Sequence, residues 1–419
     1  MKFFLVIIIF FSITFSSIIS IGGFGQQFKG YDPASLGLGN SLLFSGRPDG
    51  LVHTAISTYY NNRYVRLHVF NNFNRLSILG KSNSIHEFTA FGFSFPFKSS
   101  NAFTIGLSSE SRVNFTFIEP DYKFIAGNSS FDPLAIKNSY DFHGGISNFY
   151  LGFSSGYFKK FDFGINLNFL FGNLFSDVTT DIYSFDYTSS NCDLNSNHNL
   201  LNSDCISYSP TSSSLKNNVY NFNSYSFTLD GRFKLNFNQF AYSLTIDAPF
   251  DIVKSTLNNS ISADDEIVSM DEFSLNRFNL GYKYESHKSI GAILEYQRQL
   301  ELYSSIDKNL LGINAPLTNS LHVGVFKNYK NTDMGFWNSL TIRSGFMLKE
   351  FIYDIYNIND NAFTLSFGLK FLKSKNEIDI SLATGTRKSD NEIFPDESYV
   401  DINFGIISGD SWFKKVRRK

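Results

Sequence analysis

Residues able to do chemistry are few, and their spacing assigns them little. Gly152-Phe153-Ser154-Ser155-Gly156 spells G-x-S-x-G, the pattern that lifts a serine nucleophile onto a strand-to-helix elbow. Here it closes an alternating strand and enters a short turn, so the serine has neither elbow nor base. The seven histidines lie apart, with no carboxylate–serine pair at a defensible spacing. His322 reads as a polar wall residue. No H-E-x-x-H, P-loop or complete G-x-G-x-x-G occurs. Asp264-Asp265-Glu266 lacks the spaced ligands of a calcium loop. The sequence therefore assigns no catalytic residue, no cofactor and no metal, and the chain is not read as an enzyme.

The elements that must position side chains are more informative. The chain has 419 residues, of which 17% are aromatic, with 48 phenylalanines, and 18% are charged. Ordinary soluble domains carry about 25% charged residues. Many aromatics with low charge exclude disorder, and two cysteines exclude a disulfide-built scaffold. A net charge of −2 gives no electrostatic case for a nucleic-acid partner. A codon-biased genome raises phenylalanine by itself, so position is what carries meaning.

Residues 1–22 read as a signal peptide. Lys2 is followed by the apolar run Phe3–Ile13, then by small residues, with cleavage expected between Ser20 and Gly25. No later stretch approaches the ~20 consecutive apolar residues of a membrane helix. Cys192 and Cys205 have twelve residues between them in a Ser- and Asn-rich stretch. Two thiols in an exported chain pair, so they read as a local disulfide. A metal site with His198 between them lacks a fourth ligand and the C-x-x-C spacing of zinc sites.

Alternation with period two repeats down the chain. Phe161, Phe163, Ile165, Leu167, Phe169 and Phe171 share one face, and Asp162, Gly164, Asn166 and Asn168 the other. Phe363, Leu365, Phe367, Leu369 and Phe371 oppose Thr364, Ser366, Gly368 and Lys370 in the same way. These are strands with an apolar wall and a polar wall. Their length of roughly 9–13 residues fits a tilted membrane strand rather than the mode of ~5–6 in soluble proteins. Connections between them alternate short and long. The long ones are expected at 118–141, 173–218, 248–272, 299–319, 348–360 and 386–397. Short turns are Lys-rich and long loops Asp- and Glu-rich, as solvation alone requires. The pattern predicts an all-β fold, a transmembrane antiparallel β-barrel of about fourteen strands (range twelve to sixteen). The barrel spans 61–408, with an N-terminal hatch or plug at 23–60 and a basic tail at 409–419. The expected location is a bacterial outer membrane, with both termini periplasmic and lipid as the surrounding partner. Asp162, Asp230, Arg232, Arg277, Lys283, Glu295, Arg343, Lys370, Asp379 and Asp401 fall on the polar, lumen-facing wall.

The segment Asp32-Pro33-Ala34-Ser35-Leu36-Gly37-Leu38-Gly39-Asn40 resembles the start of the mature FadL-type long-chain fatty-acid transporters and their PorV-type relatives. That family has an Asn-Pro-Ala segment after the hatch glycines; here the nearest proline is in Arg47-Pro48-Asp49-Gly50. The resemblance implies a lumen hatch, with Asp32, Gly37, Gly39, Arg47 and Asp49 as its candidate residues. It also implies passive passage of hydrophobic small molecules, fatty-acid or hydrocarbon-like, through a lateral opening in the wall. Two alternatives stay open: an accessory scaffold with a secretion-machinery protein partner or a surface-binding role, and an open porin-like pore. No ligand-binding residue transfers.

Overall fold

Lipid offers no hydrogen-bond partner, so a sheet with an apolar outer face must satisfy its backbone by closing on itself. The computed structural model has that closure. It describes residues 26–27, 32–45, 65–78, 81–97, 101–118, 123–125, 134–158, 160–187, 206–248, 251–258, 268–270, 274–303, 317–328, 336–353, 356–371, 376–390 and 396–410. Fourteen strands form the wall, each antiparallel to the next. They are β1 (Val65–Ile78), β2 (Lys81–Phe97), β3 (Asn101–Ile118), β4 (Leu134–Phe158), β5 (Phe161–Tyr187), β6 (Ile206–Leu235) and β7 (Asn238–Asp247). The second half comprises β8 (Ser274–Glu285), β9 (Ile290–Tyr303), β10 (Leu317–Lys327), β11 (Leu340–Ile352), β12 (Asn357–Phe371), β13 (Asn376–Ser389) and β14 (Glu397–Asp410). The last strand pairs with the first, from Asp410↔Val65 to Glu397↔Ile78. Among the described residues no helix is long and apolar enough to cross a membrane.

The two walls differ as the alternation requires. On β5, Leu167 and Phe169 are 48% and 46% exposed, while Asn166 and Asn168 are buried inside. On β12, Phe363 and Phe367 face outward and Thr364 and Ser366 inward. An outer face of exposed phenylalanine and leucine is stable only against hydrocarbon. Leu167→Arg is therefore expected to cost roughly 2–4 kcal/mol, by placing a cation in the lipid belt. The check is the fraction of heat-modifiable, folded barrel on a gel. Leu167→Phe should leave that fraction unchanged, and equal behaviour of the two variants would reverse the facing.

One expected connection is mostly strand. Residues 173–218 were expected as a loop, yet β5 runs on to Tyr187 and β6 starts at Ile206. The stretch 118–141 likewise gives its last residues to β4, which starts at Leu134. Strands of 25, 27 and 30 residues in β4, β5 and β6 far exceed the ~9–11 that cross lipid. They project past the wall, where no lipid imposes an apolar face and the alternation signal fades. Asp251–Asn258 continues the line of β7 beside β6, from Asp251↔Asn223 to Asn258↔Lys216. The projection leaves the wall at Gly144, whose φ is +119° and where a Cβ would lie 2.1 Å from the Asn173 carbonyl oxygen. Cys192 and Cys205 lie outside the described residues.

One seam interrupts the wall. The β2–β3 ladder runs from Phe97↔Asn101 to Ala90↔Ser108 and stops. Beyond it, among the described residues, β2 pairs with β1 alone and β3 with β4. The freed edge of β3 takes Gln26↔Arg112 and Gln27↔Ser111 instead.

Candidate functional site

Asp32–Ser45 packs against the inner wall. Asp32 caps the helix α1 (Pro33–Leu36) through a hydrogen bond from Ala34 N to its Oδ1 at 3.1 Å, with Pro33 in the first turn. Helix and following turn are buried, with Ala34, Ser35, Leu38 and Ser41 all at 0% exposure. Gly39 has φ +74°, and a Cβ there would lie 2.5 Å from the Phe346 carbonyl oxygen, so only glycine fits. Gly37 meets Ser366 Oγ just as closely, at 2.1 Å from an added Cβ.

Three inward side chains hold the backbone of this segment. Thr364 Oγ1 on β12 accepts from Gly39 N at 2.9 Å. His322 on β10 donates from Nδ1 to the Gly39 carbonyl, and its Nε2 accepts from Ser320 Oγ at 2.8 Å. A carbonyl only accepts, so the proton is assigned to Nδ1. Glu295 on β9 accepts from Leu42 N and Leu43 N, both at 3.0 Å, and from Ser41 Oγ. Gln297 Nε2 supplies a fourth donor to the same carboxylate at 2.9 Å. On β11, Gly345 lies under the chain: a Cβ there would be 2.2 Å from Gly39 N. Both atoms it meets first are backbone, which cannot swing aside. Gly345→Ala is expected to weaken docking by about 1–3 kcal/mol. The check is faster proteolysis within 32–45 on an otherwise folded barrel.

The ten lumen-facing charges lie on the inner side, and most are gathered into ion pairs. Asp162 meets Arg232 at 2.7 Å and also Lys234. Arg343 meets Asp379 at 2.8 Å and Glu377 at 3.5 Å, and Lys370 meets Glu377 at 3.4 Å. Lys283 pairs with Glu285 at 2.9 Å. Asp401 accepts from Asn74 Nδ2. Asp230 is fully buried on β6, two residues from Arg232. Glu295 is joined to the N-terminal segment, and Arg277 to Glu110. Arg47 and Asp49 lie outside the described residues. Ser154 is buried on β4 with no elbow near it.

Sequence reasoning placed His322 and Thr364 on the polar wall without their contacts to the N-terminal segment, and missed Glu110 and a network at the long-loop end. There Arg387 meets Asp360 at 3.1 Å, joins Glu397 and stacks its guanidinium 4.2 Å over the Tyr399 ring. Tyr399 Oη donates to Asp360 at 2.7 Å. Just beyond, Tyr353 and Tyr356 stack at 4.6 Å, and burial raises both phenols above their ordinary range.

Inward apolar side chains descend in steps from this end. Phe351, Tyr353 and Ile358 cluster at the rim. Leu76, Met347, Ala362 and Tyr399 cluster below them. Phe70, Ala90 and Ile407 form the third step. Ala90 is the last residue of β2 that pairs with β3, so this step ends at the foot of the seam.

A closed fourteen-strand wall, apolar outside and charged inside, defines an outer-membrane-type barrel of the FadL-like fold. The family model BamG matches residues 69–419, and the chain belongs to the BamG family. Solved structures resemble it in fold at low identity. A Pseudomonas aeruginosa FadL homologue is 11% identical with a TM-score of 0.56, covering 93% of this chain and 100% of its own. The CymD monoaromatic hydrocarbon channel is 11% identical with a TM-score of 0.53, covering 91% and 98%. The toluene transporter TodX of P. putida is 11% identical with a TM-score of 0.50, covering 92% and 99%. No curated protein matches the chain.

Proposed function

We propose that the protein lets hydrophobic small molecules, fatty-acid- or hydrocarbon-like, pass the outer membrane without an energy source. Residues 23–60 act as the lumen plug, the termini are periplasmic, and the β2–β3 seam is the side exit. The observation that carries this reading is the stepped apolar clusters, which run from the rim at Phe351 to the seam foot at Ala90. An apolar solute moving down them stays out of water at each step. The channels named above for hydrocarbons and toluene share the fold and support the same cargo class. Buried ion pairs at Arg343 and Arg232 count against an open aqueous pore, because they leave no solvated charge ring for ions. The experiment is efflux of a fluorescent fatty acid and of toluene from liposomes holding the purified protein. Efflux well above that from empty liposomes is expected. Rates equal to empty liposomes, or large steady single-channel currents in salt, would overturn the reading.

A further inference from the structure

The seam starts where two strands each carry one residue too many. On β2, Phe70 pairs with Ala90 and Asn71 with Phe88, which leaves Thr89 over. On β3, Ser109 pairs with Ser147 and Ser111 with Ile146, which leaves Glu110 over. A bulge bends its strand and re-aims a side chain. The inside–outside alternation of β3 holds as far as Ser108 and then breaks, with Ser109 and Ser111 both buried.

Glu110, the extra residue of this bulge, meets Arg277 inside the barrel, where its carboxylate accepts from Arg277 Nη1. Arg277 stands on β8, with the four wall strands β4 to β7 between it and β3. The ion pair is thus a chord across the lumen rather than a contact along the wall. Two side chains reach less than the bore of a fourteen-strand barrel, so β3 must lean inward at the bulge to complete it. Asp247 on β7, 3.6 Å from Arg277 Nη2, steadies the guanidinium from its own side. Both side chains are mostly withdrawn from water, at 17% and 18% exposure, so the attraction is little screened.

We propose that the Glu110–Arg277 pair is the tie that holds the seam apart. It anchors the bulge of β3 to the opposite wall and keeps Ser109–Ile118 from zipping onto Lys81–Thr89. This deepens the reading of the seam as a side exit, with Glu110 and Arg277 as positioning residues. Once released, a straightened β3 continues the register of Ala90↔Ser108 and extends a β2–β3 ladder that, among the described residues, stops there. It displaces Gln26–Gln27 from Ser111 and Arg112 as it does so. Continuing that register sets Glu87 opposite Ser111.

The test is a disulfide reporter, Glu87→Cys with Ser111→Cys, in a chain carrying Cys192→Ser and Cys205→Ser. Cross-linking should be low with the tie intact and should rise about fivefold when Glu110→Gln removes it. Arg277→Gln is the second variant, should the first not yield heat-modifiable barrel, and is expected to give the same rise. Arg277→Lys, which keeps the charge, should stay near the background. So should the reversed pair Glu110→Arg with Arg277→Glu and Asp247→Asn. Unchanged cross-linking in Glu110→Gln and Arg277→Gln overturns the proposal. An equal rise in the reversed pair also overturns it, since the loss would then be merely structural. The cross-link is read without cargo, so a protein that moves no hydrophobic probe defeats the transport reading and not this one.

Discussion

Glu295→Leu is expected to free residues 32–45 from the wall while leaving the barrel folded. The carboxylate is fully buried and accepts from Ser41 Oγ, Leu42 N and Leu43 N, three donors of one short segment. Leucine fills a similar volume and accepts from none of them. Leaving a buried donor without an acceptor costs about 1–3 kcal/mol each, so the docked state loses roughly 3–9 kcal/mol. At ~1.4 kcal/mol per tenfold, the released population rises by on the order of 10² to 10⁶. The barrel ladder contains none of these bonds, so heat-modifiability should be kept. Limited proteolysis within 32–45, followed by mass spectrometry, reads the release directly. Glu295→Gln keeps one acceptor oxygen but turns an amide NH₂ toward the donors, and an intermediate cleavage rate is expected. If Glu295→Leu is cut no faster than wild type, the segment is held by Thr364, His322 and the glycine contacts instead.

Much of the wall was legible in the sequence because lipid writes on one face of every strand that crosses it. Leu167 and Phe363 announce the outside, and Asn166 and Thr364 the inside, within a few residues of chain. The asparagine-rich run Asn71–Asn74 is part of β1, with Asn72 and Asn74 directed inward to Asn403 and Asp401. Legibility ends where the lipid ends. Ser212, Ser213 and Ser214 lie in β6 beyond the membrane belt, paired with β5, yet no environment forces their types to alternate.

The site was half legible for a different reason. The resemblance names Gly37 and Gly39 as hatch candidates, and both are pressed against the inner wall. The clamp on that segment was not legible, because Glu295 lies more than 250 residues from Leu42 and Leu43. Period-two patterning says that Glu295 faces inward and nothing about what it meets. The seam left a faint local trace. Ser108-Ser109-Glu110-Ser111 is a polar run in which alternation lapses, and that is where the β3 bulge sits.

Removing Arg343 is expected to be the most damaging single change inside the wall. Its guanidinium is fully buried, with Nη1 2.8 Å from Asp379 and Nη2 3.5 Å from Glu377. Lys370 completes a neutral set of two cations and two carboxylates spread over β11, β12 and β13. Arg343→Met leaves two buried carboxylates facing one ammonium. Breaking a buried pair by deleting one partner costs about 3–5 kcal/mol, most of it the stranded charge. The expected result is a clear fall in the temperature at which the folded gel band converts to the unfolded one. Arg343→Met with Asp379→Leu removes both charges and leaves Lys370 and Glu377 balanced, so it should recover most of the loss. That recovery separates charge balance from packing, because the double variant disturbs the packing more than the single one. A double variant no more stable than Arg343→Met would mean that the guanidinium acts through shape, through its contact with Ser366 Oγ at 3.4 Å and the cover of Gly368 above it.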